Sequence, residues 1–262
     1  MLFRKNGHHV TPNPGRVVDV GWLLQTEHAS FIWEAPRPFR HTEPPPQHSK
    51  SVAYCPAVVD HEARLFEVLC PFDLRLRVHI EDGQARITDA AGERSAIDPR
   101  ALAQITMIAS QNEWRHPNRP IFQIRTPYTF VSDEPVHLMQ LSPFLHYREP
   151  RWPGLVIGGR VPINVWPRAL NWAFEWYDLE KELTLVRGEP WFYVRFETSD
   201  SSRHARLIEA QMTQELKTYL AGMSGVVRYV NKTFSLFHIA QHRRPARLLR
   251  ERMIDTGPSS GK

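Results

Sequence analysis

Residues 169–176 read Ala-Leu-Asn-Trp-Ala-Phe-Glu-Trp, with Leu170, Trp172, Phe174 and Trp176 at every second position. A period of two puts these four side chains on one face of an extended strand; a helix would scatter them around its circumference. A strand face carrying that much aromatic surface needs a second apolar layer over it, which a closed or doubled sheet supplies. The stretch lies in an apolar block, 155–197. That block also holds 155–157, 161–166, 183–186 and 191–196, broken by Gly158-Gly159 and by the turn Arg187-Gly188-Glu189-Pro190.

The upstream sequence repeats the pattern. Val17, Val18, Val20, Trp22, Leu23 and Leu24, then Phe31, Ile32 and Trp33, read as two short strands around a polar turn. Residues 51–88 read as a β meander. In it, 51–55 and 65–70 are apolar, and Leu74, Leu76, Val78 and Ile80 alternate with Arg75, Arg77 and His79. That alternation predicts a half-buried strand, and Asp82-Gly83 a hairpin turn into 85–88. Residues 98–102 can start one helical turn; 121–125, 128–131 and 136–141 add strands. The 22 prolines, among them Pro44-Pro45-Pro46, suit stiff loops between strands.

The pattern changes at Asp200. Asp200-Ser201-Ser202 reads as an N-cap cluster, and Ile208, Met212, Leu216, Tyr219, Leu220 and Met223 recur at helical spacing. One amphipathic helix is expected there, a second in 226–237, and a basic helix or tail over 243–252. The expected organisation is a flexible arm at 1–15, a β-sandwich or jelly-roll-like domain at 16–199, a C-terminal helical extension at 200–255 and a disordered tail at 256–262.

The chain has 262 residues, 42% of them hydrophobic, enough for a sizeable core and too apolar for wholesale disorder. Thirty-three Lys and Arg against 28 Asp and Glu leave a net charge of +5, a weak signal for nucleic acid. No run of 18 apolar residues and no secretory leader pattern is present, which points to a cytoplasmic protein. Cys55 and Cys70 are each followed by proline. A disulfide and two buried free thiols are both open, and the missing leader favours the thiols.

Chemistry-bearing patterns are sparse. His79-Ile80-Glu81 is an H-x-E triplet at a strand end; on a cupin-like barrel it could offer two ligands to a divalent metal such as iron, with His137 or His146 as the third. The competing reading is a solvated strand end. His8-His9, His61 between Asp60 and Glu62, and the pair His238 and His242 are further fragments without the pairings of a zinc site. No G-x-S-x-G, Walker or G-x-G-x-x-G pattern occurs. Cys70 lacks a cationic neighbour that would make it a nucleophile. Trp166, Trp172, Trp176 and Trp191, with Asn171 nearby, could line a groove for sugars or bases, against the reading that they are core. Arg243, Arg244, Arg247 and Arg250 could contact a protein partner or, more weakly, nucleic acid.

Two stretches taken together resemble an uncharacterised bacterial and phage domain-of-unknown-function family. The first is Ala53-Tyr54-Cys55-Pro56 followed by Phe66-Glu67-Val68-Leu69-Cys70-Pro71-Phe72. The second is Asn171-Trp172-Ala173-Phe174 followed by Arg187-Gly188-Glu189-Pro190-Trp191. The resemblance spans about residues 50–197 and departs at 75–80. It implies a compact β domain of bacterial or phage origin, virion-associated if phage-encoded, and brings no catalytic residue with it. The function expected is non-enzymatic binding or assembly, with self-association or a protein partner through 200–255, no membrane and no cofactor. The alternative is the cupin-like metal enzyme.

Overall fold

The computed structural model describes residues 16–25, 31–41, 48, 50–81, 83–92, 95, 97–148, 150–223 and 233–253. The arm at 1–15, the tail at 256–262, Asp82, the Pro44-Pro45-Pro46 run and residues 226–230 lie outside these. Strands β1 (Val17–Leu24) and β2 (Arg37–Pro38) precede a 3-10 turn (Val52–Tyr54) and helix α1 (Pro56–Glu62). Next come β3 (Leu65–Leu69), β4 (Leu74–Glu81), β5 (Gln84–Asp89), α2 (Pro99–Ile105) and β6 (Thr106–Ile108). Then follow β7 (Ile121–Val131), β8 (Val136–Leu141), β9 (Gly154–Val156), β10 (Arg160–Pro162), β11 (Ala169–Trp176), β12 (Leu183–Leu185), β13 (Pro190–Thr198) and β14 (His204–Glu209). Helices α3 (Gln214–Met223) and α4 (Thr233–Arg243) come last.

Among the described residues the strands form three sheets. One runs β14-β1-β7-β11-β9 with β6 also on β7; the second runs β10-β8-β13-β3-β2; the third runs β12-β4-β5. The result is a mainly β, sandwich-like arrangement of curled sheets with helices near the C-terminus, as the alternation predicts. One core cluster joins all three sheets. Trp172, Trp176 and Trp191 are fully buried in it. Trp172 of β11 meets Trp191 of β13 at 5.6 Å between ring centroids and stacks on Phe174 at 5.2 Å. Each such ring hides roughly 150–250 Å², or about 4–6 kcal/mol of transfer free energy before the entropy of ordering is subtracted.

Strand β13 buries four consecutive residues, Trp191 to Val194. Its register with β3 shifts between Pro190 and Phe192, which lets both Trp191 and Phe192 join the core cluster. Strand β4 keeps its alternation: Leu74, Leu76 and Val78 are buried, and Arg75, Arg77 and His79 face solvent. Arg75 and Arg77 both donate to Glu182, at 2.5 Å each. The Arg75 hydrogen bond, with Arg77 beside it, holds the Glu182 carboxyl below its ordinary range.

Three local expectations are corrected. Residues 51–55 are no strand: Ser51 caps the 3-10 turn and Pro56 opens α1 at its first turn, where its missing N–H costs nothing. Both cysteines are free, yet only Cys70 is buried; Cys55 is exposed. Phe31 and Trp33 pack on the core without forming a strand, while Ile32 points outward.

The largest correction concerns 200–223. Asp200 accepts from the Ser202 N–H and hydroxyl and makes a turn, a use of the same side-chain chemistry that caps helices. His204 to Glu209 then pairs in parallel with β1 from Val17 to Trp22. The far edge of β1 needs partners for its backbone groups, and this stretch supplies them. Arg206 locks the register by donating to both Asp19 oxygens, at 2.7 and 2.9 Å. The helix begins only at Gln214, where the Thr213 hydroxyl accepts the Leu216 N–H.

Residues 244–252 form neither a free tail nor a helix but a strap. Leu248 and Leu249 are buried with Leu23, Val131, Ala210 and Leu216 in a second cluster. Gln211 donates to the Arg250 carbonyl and Arg252 N–H to the Glu209 carbonyl, extending the pairing past β14. Asp133 Oδ1 takes the N–H groups of Leu248 (2.6 Å) and Leu249 (3.3 Å).

Candidate functional site

The metal candidates do not converge. His79 stands exposed on β4 opposite Arg86, and Glu81 is exposed opposite Gln84. His137 lies on β8 in the second sheet, opposite Glu197 and Pro162, and burial followed by Arg160 lowers its pKa. His146 sits after β8 with Nε2 3.4 Å from a Glu189 oxygen. Neither His137 nor His146 shares a sheet with His79 and Glu81. Among the described residues no three His, Cys, Asp or Glu side chains group so as to hold a metal. His238 and His242 are exposed on α4, and His61 lies 3.3 Å from Arg195 Nη1.

The aromatic groove is also corrected. Trp172, Trp176 and Trp191 are 0% exposed, because sheet faces one and two close on them. Asn171 is on the opposite face of β11 and donates to Gln123 Oε1 at 2.8 Å. Beside it Glu175, buried, pairs with Arg115 at 2.6 Å. Trp166 alone borders an open cavity, and it too is nearly covered, edge-on to Phe237 at 5.3 Å.

The arginines separate by role. Arg244 donates to the Asn164 carbonyl at 2.6 Å and to Asp133, so its guanidinium fastens the strap to the sheets. Arg247 is exposed, 3.9 Å from Asp133 Oδ2. The Arg250 side chain is exposed. Arg243 ends α4 and borders the cavity.

That cavity is a groove between α3 and α4 of about 700 Å³. Small-molecule sites commonly fall at about 300–1,000 Å³ with apolar walls and few polar groups. Helix α3 packs Leu216, Tyr219 and Leu220 into the second cluster with Met223 against it, and Glu215, Thr218, Tyr219 and Met223 border the groove. Helix α4 lines it with Leu236, Ile239, Ala240 and Arg243, an i, i+3, i+4, i+7 set on one helix face. The two walls are tied at the floor. The Tyr219 hydroxyl lies 2.7 Å from the Val165 carbonyl and 3.0 Å from the Ala240 carbonyl. Burial raises the Tyr219 pKa, so the hydroxyl stays a donor. Ile239 is 48% exposed, a large aliphatic side chain left at the rim. Glu215 and Arg243 have no hydrogen-bond or ion-pair partner among the described residues.

Sequence reasoning reached Tyr219 and Met223 through the helical spacing and Arg243 through the basic run. It missed Glu215, Leu236 and Ile239. The signal for α4 is the i, i+3, i+4, i+7 set of Leu236, Ile239, Ala240 and Arg243; the helix expected at 226–237 overlaps only its start, since α4 runs Thr233–Arg243.

A scan against protein-family models finds no match to this chain, and a search of curated proteins finds none.

Proposed function

We propose that this chain is a non-enzymatic binding or assembly protein whose docking site is the groove between α3 and α4. The observation that carries the reading is the groove itself: about 700 Å³, walled by Met223, Leu236 and Ile239, floored by Trp166 and Tyr219, and bordered among the described residues by the polar Gln214, Glu215, Thr218 and Arg243. An apolar concavity of this size gains roughly 25 cal/mol for each Å² an occupant hides. The aromatic sheet faces offer nothing comparable, since their rings already cover one another.

The test is saturable binding of a neutral solvatochromic dye to dilute protein. One dye per chain is expected, with blue-shifted emission, and Ile239→Asp should weaken binding by about tenfold by placing a charge on the apolar wall. Ile239 is half exposed, so the variant keeps its fold, checked by its melting temperature. Absence of saturable binding, or equal affinity in the variant, overturns the reading.

A further inference from the structure

We infer that the strap, residues 244–252, and the α4 wall of the groove work as one switch with Asp133 as its latch, so that filling the groove holds the strap closed; the inference rests on the groove being a docking site. The contacts of one carboxylate and one guanidinium carry it.

Asp133 lies in the turn between β7 and β8. Its Oδ1 takes the N–H groups of Leu248 at 2.6 Å and Leu249 at 3.3 Å, and Arg244 Nη2 at 3.3 Å. Arg247 Nε lies 3.9 Å from Oδ2. One charged group therefore meets the strap at its start and at its middle, through charge-assisted bonds roughly twice as strong as neutral ones. The rest of the hold is slight. Of the nine strap residues only Leu248 and Leu249 are buried. Gln211 N–H to the Arg250 carbonyl and Arg252 N–H to the Glu209 carbonyl pair it along the sheet. Segments with few buried apolar contacts open locally, below the free energy of global unfolding.

Arg244 carries the state of the strap to the groove. It stands between Arg243, the last residue of α4, and Pro245, and both of these border the groove. Arg244 Nε donates to the Asn164 carbonyl at 2.6 Å and Nη2 to the Asp133 carbonyl at 3.0 Å. The next carbonyl, that of Val165, takes the Tyr219 hydroxyl of α3, and the residue after it, Trp166, is on the groove floor. Residues 164–166 thus hold the end of α4, the α3 side and the floor in one frame. Behind that frame Tyr219 shares the second cluster with Leu248 and Leu249. Opening the strap removes both Arg244 as an anchor of α4 and the leucines that back Tyr219. An occupant then binds the closed form more tightly than the open one. Such linkage is reciprocal, so the occupant favours closure by the same factor.

Hydrogen exchange followed by mass spectrometry on the full chain, with and without the neutral solvatochromic dye, tests this. Amides 248–252 should exchange faster than those of β7 and β11, and saturating dye should slow them about threefold or more. Asp133→Ala should speed exchange at 248–252 about tenfold or more and weaken dye binding about threefold or more. Asp133 is exposed in its turn, and unchanged exchange in β7 and β11 shows that the variant keeps its fold. Asp133→Asn, which retains an acceptor oxygen, should recover part of both effects. A carboxylate with a merely structural role would not make strap exchange depend on dye. Strap amides that exchange at the rate of β7, or dye that binds without slowing them, overturn the latch and leave the docking groove standing. No saturable dye binding to the parent chain overturns both readings.

Discussion

Replacing Gly21 with alanine measures how closely the strap is held against β1. A Cβ at position 21 would lie 2.3 Å from Leu249 Cδ1, 2.8 Å from Ala210 Cβ and 3.0 Å from Val131 Cγ2. Non-bonded carbons rest at about 3.5–4.0 Å, so all three are overlaps. Leu249 Cδ1 is the end of a flexible side chain and can rotate. Ala210 Cβ moves only with its backbone, and that backbone is fixed where Ala210 N–H donates to the Trp22 carbonyl at 2.8 Å. Overpacking of this kind costs about 1–3 kcal/mol. The stiffer unfolded chain returns about 0.4–1 kcal/mol. We predict a net loss of up to about 2.6 kcal/mol and a melting temperature lower by up to about 10 °C. Urea unfolding followed by tryptophan emission reads the loss directly. Leu249→Ala supplies the control. It removes the nearest overlap, so its own cost, about 2–5 kcal/mol in the parent chain, should shrink by about 0.5–2 kcal/mol beside Gly21→Ala. Two strictly additive losses, or a Gly21→Ala chain more stable than the parent, would refute the close packing of strap on strand.

Two further outcomes follow from the burial of particular atoms. A thiol reagent at pH 8 should label Cys55 alone in the folded chain, and raising the pH to about 10 should not add Cys70, because burial pushes the Cys70 thiol up to about 12. Labelling of two thiols per folded chain, counted by mass, would contradict its place in the core. Trp176→Phe should cost about 1 kcal/mol more than Trp172→Phe. The Trp176 indole N–H donates to the Asp178 carbonyl at 2.9 Å, whereas the Trp172 N–H is buried with no partner among the described residues and is no loss when removed. Equal costs in urea titrations would show that the Trp172 N–H is satisfied after all.

The residues that could be read from the sequence were those whose neighbours share their strand. Leu170, Trp172, Phe174 and Trp176 all face the core because a period of two is a local property. Leu74, Leu76 and Val78 follow for the same reason. The misread segments are those decided by a distant partner. His204 to Glu209 fits a helix by spacing, but the open edge of β1 claims it. Leu248 and Leu249 are two apolar residues in a basic run, and only the second cluster shows why they are buried. At Cys55-Pro56 the apolar residues suggested a strand, while proline at the first helical turn decided the outcome. The groove was invisible for a related reason. Each wall has its own periodicity, but the space between α3 and α4 depends on how Tyr219 and Trp166 set the helices apart.

The parallel pairing of β1 with β14 has a consequence for synthesis. Asp19 and Arg206, which lock that register, stand 187 positions apart in the chain. At about 5–20 residues per second a ribosome needs roughly 10–40 s to reach the second after making the first. Throughout that interval β1 carries an unpaired edge whose Val18 and Val20 belong in the core, a template for strands of other chains. Sheet one therefore closes after translation has passed β14, and the strap that seals Gly21 arrives later still. Nascent chains halted before residue 204 should depend on chaperones, and those halted after residue 253 should not.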